Sequence, residues 1–350
     1  MVLIIVYRNE DNLIDIQYTE HRKQLGDGCR SQTGVHGCGR WRYTALTFGA
    51  SDMTDIATST SVARALRGYS IEVNPNEPKV VDAALARLDP GTEVFLTWIP
   101  GANPMDVIGP AERLRRAGLL PVPHVGARHI ESAVQLEQFA ARLAGDAGVD
   151  RVLIIAGDRA TPAGPFDCTL AVMQSEAFQK LGIIRVAVAG FPEGNPNISE
   201  AALEEALGAK LAFARTAGLE ISIVTQFCFE AAPIVEWLGR IRARGVNVPV
   251  RVGLAGPAGL LTLARYAVRC GIGNSLRVLT EKPSFAKLLV ERGPEPIIRG
   301  VALADSGPNA RPLPFGIAGL HFFVFGGFNK TVDWIDAERG RQPDTPSQLG

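Results

Sequence analysis

From residue 69 onward the chain alternates between two hydrophobic periods, and this alternation constrains its fold more than any other feature. Strand-like apolar runs occur at YSIEV (69–73), EVFLTW (93–98), LLPVPHV (119–125), RVLIIAG (151–157), RVAVAGF (185–191), ISIVTQF (221–227), VPVRVGL (248–254) and GLHFFVF (319–325). Between them VVDAALARL (80–88), ESAVQLEQFAARLAG (131–145), EAALEEALGAKLAFARTAG (200–218) and APIVEWLGRIRARG (232–245) repeat apolar residues at i, i+3 and i+4. The last of these ends in a basic turn before Gly245, as a helix C-terminus should. Strict β–α alternation implies a parallel sheet with helices outside it. Eight units in 350 residues predict a (β/α)8 TIM barrel rather than an open sheet. The longest interruption, 272–316, is expected to hold the last helix and the Pro-rich loop GPNARPLPFG.

The first run carries an anomaly. Side chains alternate along a strand, so Ser70, Glu72 and Asn74 share one face while Ile71 and Val73 share the other. In a barrel one strand face looks into the lumen, and chemistry gathers at the C-terminal ends of the strands. Polar residues at those ends are Glu72, Asn74, Thr97, His124, Asp158, Glu193 and Gln226. Each alone has a structural explanation, such as a turn residue for Asp158 after Gly157. Their concentration on one rim points to a site.

Composition removes other classes. Hydrophobic residues make up 46% and charged residues 21%, the balance of a globular chain, and net charge is zero at a sequence pI of 7.0, which gives no electrostatic footprint for nucleic acid or anionic membrane. MVLIIVY is too short for a signal-peptide core, and no run approaches the roughly 18 apolar residues of a membrane span. Five dispersed cysteines without a CxxC read as reduced thiols, so a cytoplasmic protein is expected. Residues 1–52 lack sustained periodicity, and Met53 with its Ser/Thr-rich lead-in resembles a start. They are expected to be a weakly structured extension, upstream of the native protein and without function, preceding a barrel over 53–340 and a tail over 341–350. His21, Cys29, His36 and Cys38 have zinc-binding chemistry but no zinc-knuckle spacing, so no metal site is expected. GLAGPAG has the wrong spacing for a dinucleotide fingerprint, and no P-loop, HExxH or GxSxG occurs.

YSIEVNP, FLTWIPGA, VPHVGAR, LIIAGDR, AVAGFPEGNP and SIVTQFCFE occur in register on six successive strands. In that order they resemble the methylenetetrahydrofolate reductase family, over roughly residues 69–266 and again at GLHFFVF. The resemblance implies a barrel in which FAD carries hydride from NADH or NADPH to 5,10-methylenetetrahydrofolate in one-carbon and methionine metabolism. It implies a small-molecule folate substrate, with a homo-oligomer left open. Glu72 matches the glutamate that protonates N10 of the folate, a task suited to a buried carboxyl. Asp158 matches an aspartate near flavin and pterin. Gln226 matches a glutamine on the folate edge, and Tyr266 and Thr262 fall at pterin-side positions. Thr97, His124, Gly157, Asp158, Phe191 and Asn195 fall at flavin-lining positions.

Six departures qualify the match, two of them being Thr262 in place of a pterin-side glutamine and VGLAGP in place of the family's P-G-I-x-P. Ala156 and Ala214 stand where the family has basic residues, with Lys210 and Arg215 near the second, and such losses weaken a phosphate-rich ligand. Asn195 replaces a histidine, and a folate-holding arginine has no counterpart beyond the neighbouring Lys330. Two alternatives therefore stand beside the flavoenzyme: a flavin-independent relative with direct hydride transfer, and a catalytically degraded folate-binding accessory subunit.

Overall fold

A computed structural model describes residues 62–98, 101–304 and 316–340. The expectations for 1–52, for the start at Met53, for the Pro-rich loop and for the tail lie outside the described residues.

Eight parallel strands close into a barrel in sequence order: β1 (Ser70–Val73), β2 (Glu93–Leu96), β3 (Leu120–Gly126), β4 (Arg151–Ile155), β5 (Arg185–Gly190), β6 (Glu220–Thr225), β7 (Val250–Ala255) and β8 (Ile317–Phe323). β1 pairs with β8, which abolishes both sheet edges. The expected (β/α)8 architecture is thus observed, with strand limits shifted by at most two residues. Thr97 and Asp158 lie just past their strands rather than on them.

The outer helices form where periodicity placed them. Pro78–Arg87 starts with proline in its first turn, where the missing N–H costs nothing. Ala133–Gly145 and Glu200–Thr216 are capped by Ser132 and Ser199, whose side chains accept from Gln135 N and Ala202 N. Ala231–Ala243 runs out just before Gly245, whose φ of 77° only glycine adopts freely. The segment expected to hold the last helix instead follows Leu260–Cys270 with three more: Gly273–Glu281, Pro283–Arg292 and Glu295–Leu303. Pro283 restarts the chain at a helix N-terminus, and Gly293 at φ 63° ends that helix just before Pro294. The last helix is Phe328–Gly340, after β8.

Strand register sorts the lumen into levels. Ser70 sits opposite Glu93 and His321, while Glu72 sits opposite Phe95. Contacts between strands that are not neighbours confirm which side chains point inward. At the lower end, Glu93 on β2 reaches Arg151 on β4 at 2.5 Å and Arg251 on β7 at 2.7 Å. Arg185 extends this network to Asp150 at 2.7 Å and to Glu220 at 3.0 Å. At the upper end, the Phe95 ring meets His321 of β8 at 4.5 Å between centroids.

Outward-facing Gly190 illustrates how closely helix and sheet approach. A Cβ there would lie 2.7 Å from Ile223 Cγ2 and 2.8 Å from Trp237 Cη2. Gly190→Ala is therefore expected to destabilise the barrel by about 1–3 kcal/mol, the usual range for overpacking. A urea midpoint equal to that of the wild type would show that Trp237 yields without cost.

Candidate active site at the barrel mouth

Glu72 is the centre of the upper lumen. It is 2% exposed and accepts no hydrogen bond from any described donor. Burial alone pushes its carboxyl well above the ordinary glutamate range, because no opposite charge compensates the lost hydration. Two imidazoles face it, His321 Nε2 at 3.7 Å and His124 Nε2 at 3.9 Å. These separations are too long for hydrogen bonds. They are not ion pairs either, since burial pushes His124 down to about 3 and His321 well below its usual value. Burial thus favours the uncharged form of the acid and of both rings.

Ser70 Oγ lies 3.0 Å from His321 Nδ1 and 3.3 Å from the Leu320 carbonyl, so the serine hydroxyl occupies the Nδ1 edge of the ring and the Nε2 edge is the one that faces Glu72. Both His124 nitrogens and His321 Nε2 are buried without a partner. Such orphaned groups are unusual enough to mark a place where another polar molecule belongs. His321 carried no signal of role in the sequence beyond its position as a polar residue in an apolar run.

The rim residues divide into groups. Gln226 is buried next to Cys270, to which it hydrogen-bonds, and Cys270 also senses Glu72 electrostatically. Tyr266 stacks on Phe325 with centroids 4.2 Å apart. The helix Leu260–Cys270 carries Tyr266 and Cys270 on its buried face and so roofs Glu72 and Gln226; Thr262 lies half-buried in its first turn. Beside Glu72, the space lined by Asn74, Thr97, Phe325 and Phe328 is only about 20 Å³, room for about one water. Asn74 is occupied locally, donating to Glu77 Oε1 at 2.7 Å and accepting from Asn76 N at 3.0 Å. Glu193 does not face the lumen. It accepts from Ser275 N at 3.0 Å and from the Ser275 hydroxyl, which fixes the helix Gly273–Glu281 to the β5 loop.

Asp158 is the chemical opposite of Glu72. His129 Nε2 donates to its Oδ1 at 2.8 Å, and this bond holds the carboxyl below the ordinary aspartate range despite partial burial. The rim thus presents one carboxylate and one carboxylic acid.

The residues expected to line a flavin do not share a cavity. Thr97 and His124 border a space of about 20 Å³ with Trp98 and Asn103. Phe191 and Asn195 border a separate cleft of about 650 Å³ between the helices Glu200–Thr216 and Ala231–Ala243. The side of Gly157 that a ligand would need is filled by the His129 ring, 2.8 Å from where a Cβ would sit. Ala214 is fully buried in its helix face, and the Arg128 guanidinium is spent on the carbonyls of Arg159, Ala160 and Asp167. The positions expected to line FAD are thus divided between two spaces, and Ala156 and Ala214 offer its pyrophosphate no cation. Among the described residues no group of His, Cys, Asp and Glu is arranged to hold a metal ion, and no helix is long and apolar enough to cross a membrane.

Fold and site together define a (β/α)8 barrel with a sealed acid at its C-terminal mouth. No known protein-family model matches the chain.

The buried acid makes stability depend on pH in a definite direction. A carboxyl whose folded pKa is raised binds its proton more tightly in the native state, so its contribution is complete below the unfolded value and is lost as pH rises through the folded one. Glu72→Gln removes that loss. The variant is expected to melt above the wild type at pH 8–9, with the gap closing toward pH 4; parallel melting temperatures across that range would mean that Glu72 titrates normally.

Proposed function

We propose that the protein is a methylenetetrahydrofolate reductase, exchanging hydride between NAD(P)H and 5,10-methylenetetrahydrofolate to give 5-methyltetrahydrofolate, or running the reverse reaction. The observation that carries this reading is Glu72, a neutral acid sealed in the upper lumen with no anion or cation to fix its charge. Ring opening of the folate needs such a group. The Glu72 proton passes to N10, the bond from the methylene carbon to N10 breaks with its electron pair retained on nitrogen, and an iminium forms at N5. Hydride from the nicotinamide then adds to the methylene carbon, leaving the oxidised nucleotide. His321, held by Ser70 at Nδ1, turns its Nε2 edge toward Glu72 at 3.7 Å, and Glu72 regains its proton from water once the product leaves.

The remaining residues suit the same chemistry. Gln226 both donates and accepts, as a pterin edge requires. Asp158 is anionic where the iminium is cationic. Tyr266 offers a ring face that is stacked on Phe325 in this state. The reading requires the helix Leu260–Cys270 to lift, because about 20 Å³ beside Glu72 admits no pterin.

Direct transfer from nicotinamide to folate is favoured over transfer through FAD by the separated flavin positions and by Ala156 and Ala214. A folate-binding accessory subunit would have no use for a proton donor at position 72.

The test is anaerobic NADH oxidation driven by methylenetetrahydrofolate, with and without added FAD, and repeated with NADPH. Turnover without flavin is expected. Glu72→Gln should lower it by about 10²–10⁴-fold, the worth of a general acid, while folate affinity is retained. Equal turnover in the variant removes Glu72 from the mechanism. Strict dependence on FAD overturns direct transfer.

A further inference from the structure

We propose that His129 is a positioning residue that fixes the Asp158 carboxylate at the barrel mouth. The inference deepens the function proposed above and rests on it for the part played by Asp158.

Three strand ends build the seat of His129. It closes the short helical turn Ala127–His129 that follows β3. Trp98, just beyond β2, packs against its ring with centroids 5.6 Å apart. Gly126 at the end of β3 and Gly157 after β4 leave the slot open: a Cβ on either would lie 3.2 Å or 2.8 Å from His129 Cδ2. Gly157 also has φ 97°, so a side chain there is disfavoured twice. The ring is nearly buried, its side chain 8% exposed, and only its Nε2 edge reaches Asp158.

The segment that carries Asp158 is clamped from the same turn. Arg128 N donates to the Ala156 carbonyl at 2.8 Å, and Ala163 N donates to the Arg128 carbonyl at 2.9 Å. The Arg128 side chain holds the Arg159 and Ala160 carbonyls at 2.7 and 2.6 Å and that of Asp167 at 3.1 Å. Backbone and side chain together immobilise the loop after β4, while His129 orients the carboxylate itself. An ionised carboxylate only accepts, so Nε2 is the protonated ring nitrogen in this pair. The other charge acting on Asp158 is Arg269, on the helix that roofs the lumen. His129 therefore keeps one rim carboxylate anionic and aimed while Glu72, within the lumen, stays neutral.

The experiment uses full-length protein carrying ¹³Cγ-labelled aspartate, with the Asp158 resonance identified as the one missing from Asp158→Asn. In the wild type its titration midpoint should lie below the ordinary aspartate range. His129→Phe keeps an aromatic ring against Trp98 but has no donor, and should move the midpoint to higher pH; His129→Leu serves if the phenyl ring prevents folding. His129→Gln, whose amide N–H can still donate, should stay near the wild type. On the kinetic side, the donor-less variant should lose about tenfold in kcat with little change in KM, and Gln should restore most of it. A purely structural His129 would lower melting temperature in both variants and leave midpoint and kcat untouched. An unmoved midpoint in the donor-less variant overturns the proposal, and so does a moved midpoint with unchanged turnover. If the wild type turns over nothing, the reading of the function falls, while the titration still decides whether His129 holds Asp158.

Discussion

Everything at the mouth of this barrel depends on the cost of burying a carboxyl in a narrow lumen filled by side chains. An eight-stranded barrel is just wide enough for side chains to fill, so an inward-pointing residue is desolvated whatever its chemistry. The chain meets this cost in two ways at two levels. Near the bottom it pairs charge with charge: largely buried Glu93 bridges Arg151 and Arg251, and at the more exposed rim Arg185 joins Asp150 to Glu220. Near the top no cation faces Glu72. The acid keeps its proton instead, and the flanking histidines stay unprotonated for the same reason.

Packing enforces that neutrality. Phe95 presses on His321, and Phe323 lies across the same ring at 4.8 Å. Gly253 on β7 makes room for this, since a Cβ there would meet the Phe323 ring at 2.7 Å. Above, Phe227, Phe323 and Phe325 form a continuous aromatic layer on which Tyr266 rests. The apolar layer shields Glu72 and at the same time seats Tyr266 of the helix Leu260–Cys270, so burial of the acid and packing of that helix rest on the same rings.

The barrel itself could be read from the chain because strands and helices impose different periods, and both periods survive nearly undistorted in all eight units. Glu72 was legible for a related reason, as a charge in an otherwise apolar run has to be explained. Residues whose roles depend on three-dimensional convergence could not be read in the same way. His129 sits on an irregular turn with no period, and its role comes from glycines on two strands and an indole on a third. His321 lies 249 positions from Glu72 and meets it only because β8 closes on β1. Phe191 and Asn195 look equivalent to Thr97 and His124 as strand-end residues, yet the curvature of the barrel sends the two pairs to different cavities. The three helices after Leu260–Cys270 were not separated in the sequence, where Pro283, Gly293 and Pro294 punctuate what was read as one helix and a loop.

The contrast between the two rim carboxyls bears on the order of events. Glu72 in a dry lumen is reluctant to become an anion, so by itself it is a poor proton donor. Its reluctance disappears when a cation forms beside it, because the new charge supplies the stabilisation that water cannot. In the proposed reaction the iminium generated by opening the folate ring would be such a cation, appearing in the same step that removes the proton. Desolvation would then tie proton transfer to ring opening and suppress proton loss in the absence of substrate. Asp158 has the complementary task. Already ionised through His129, it is ready for positive charge before that charge appears and needs no reorganisation when it does. Exchanging the two environments would defeat both roles: a paired, ionised group at position 72 would have no proton to give, and a neutral acid at position 158 would offer the cation no charge.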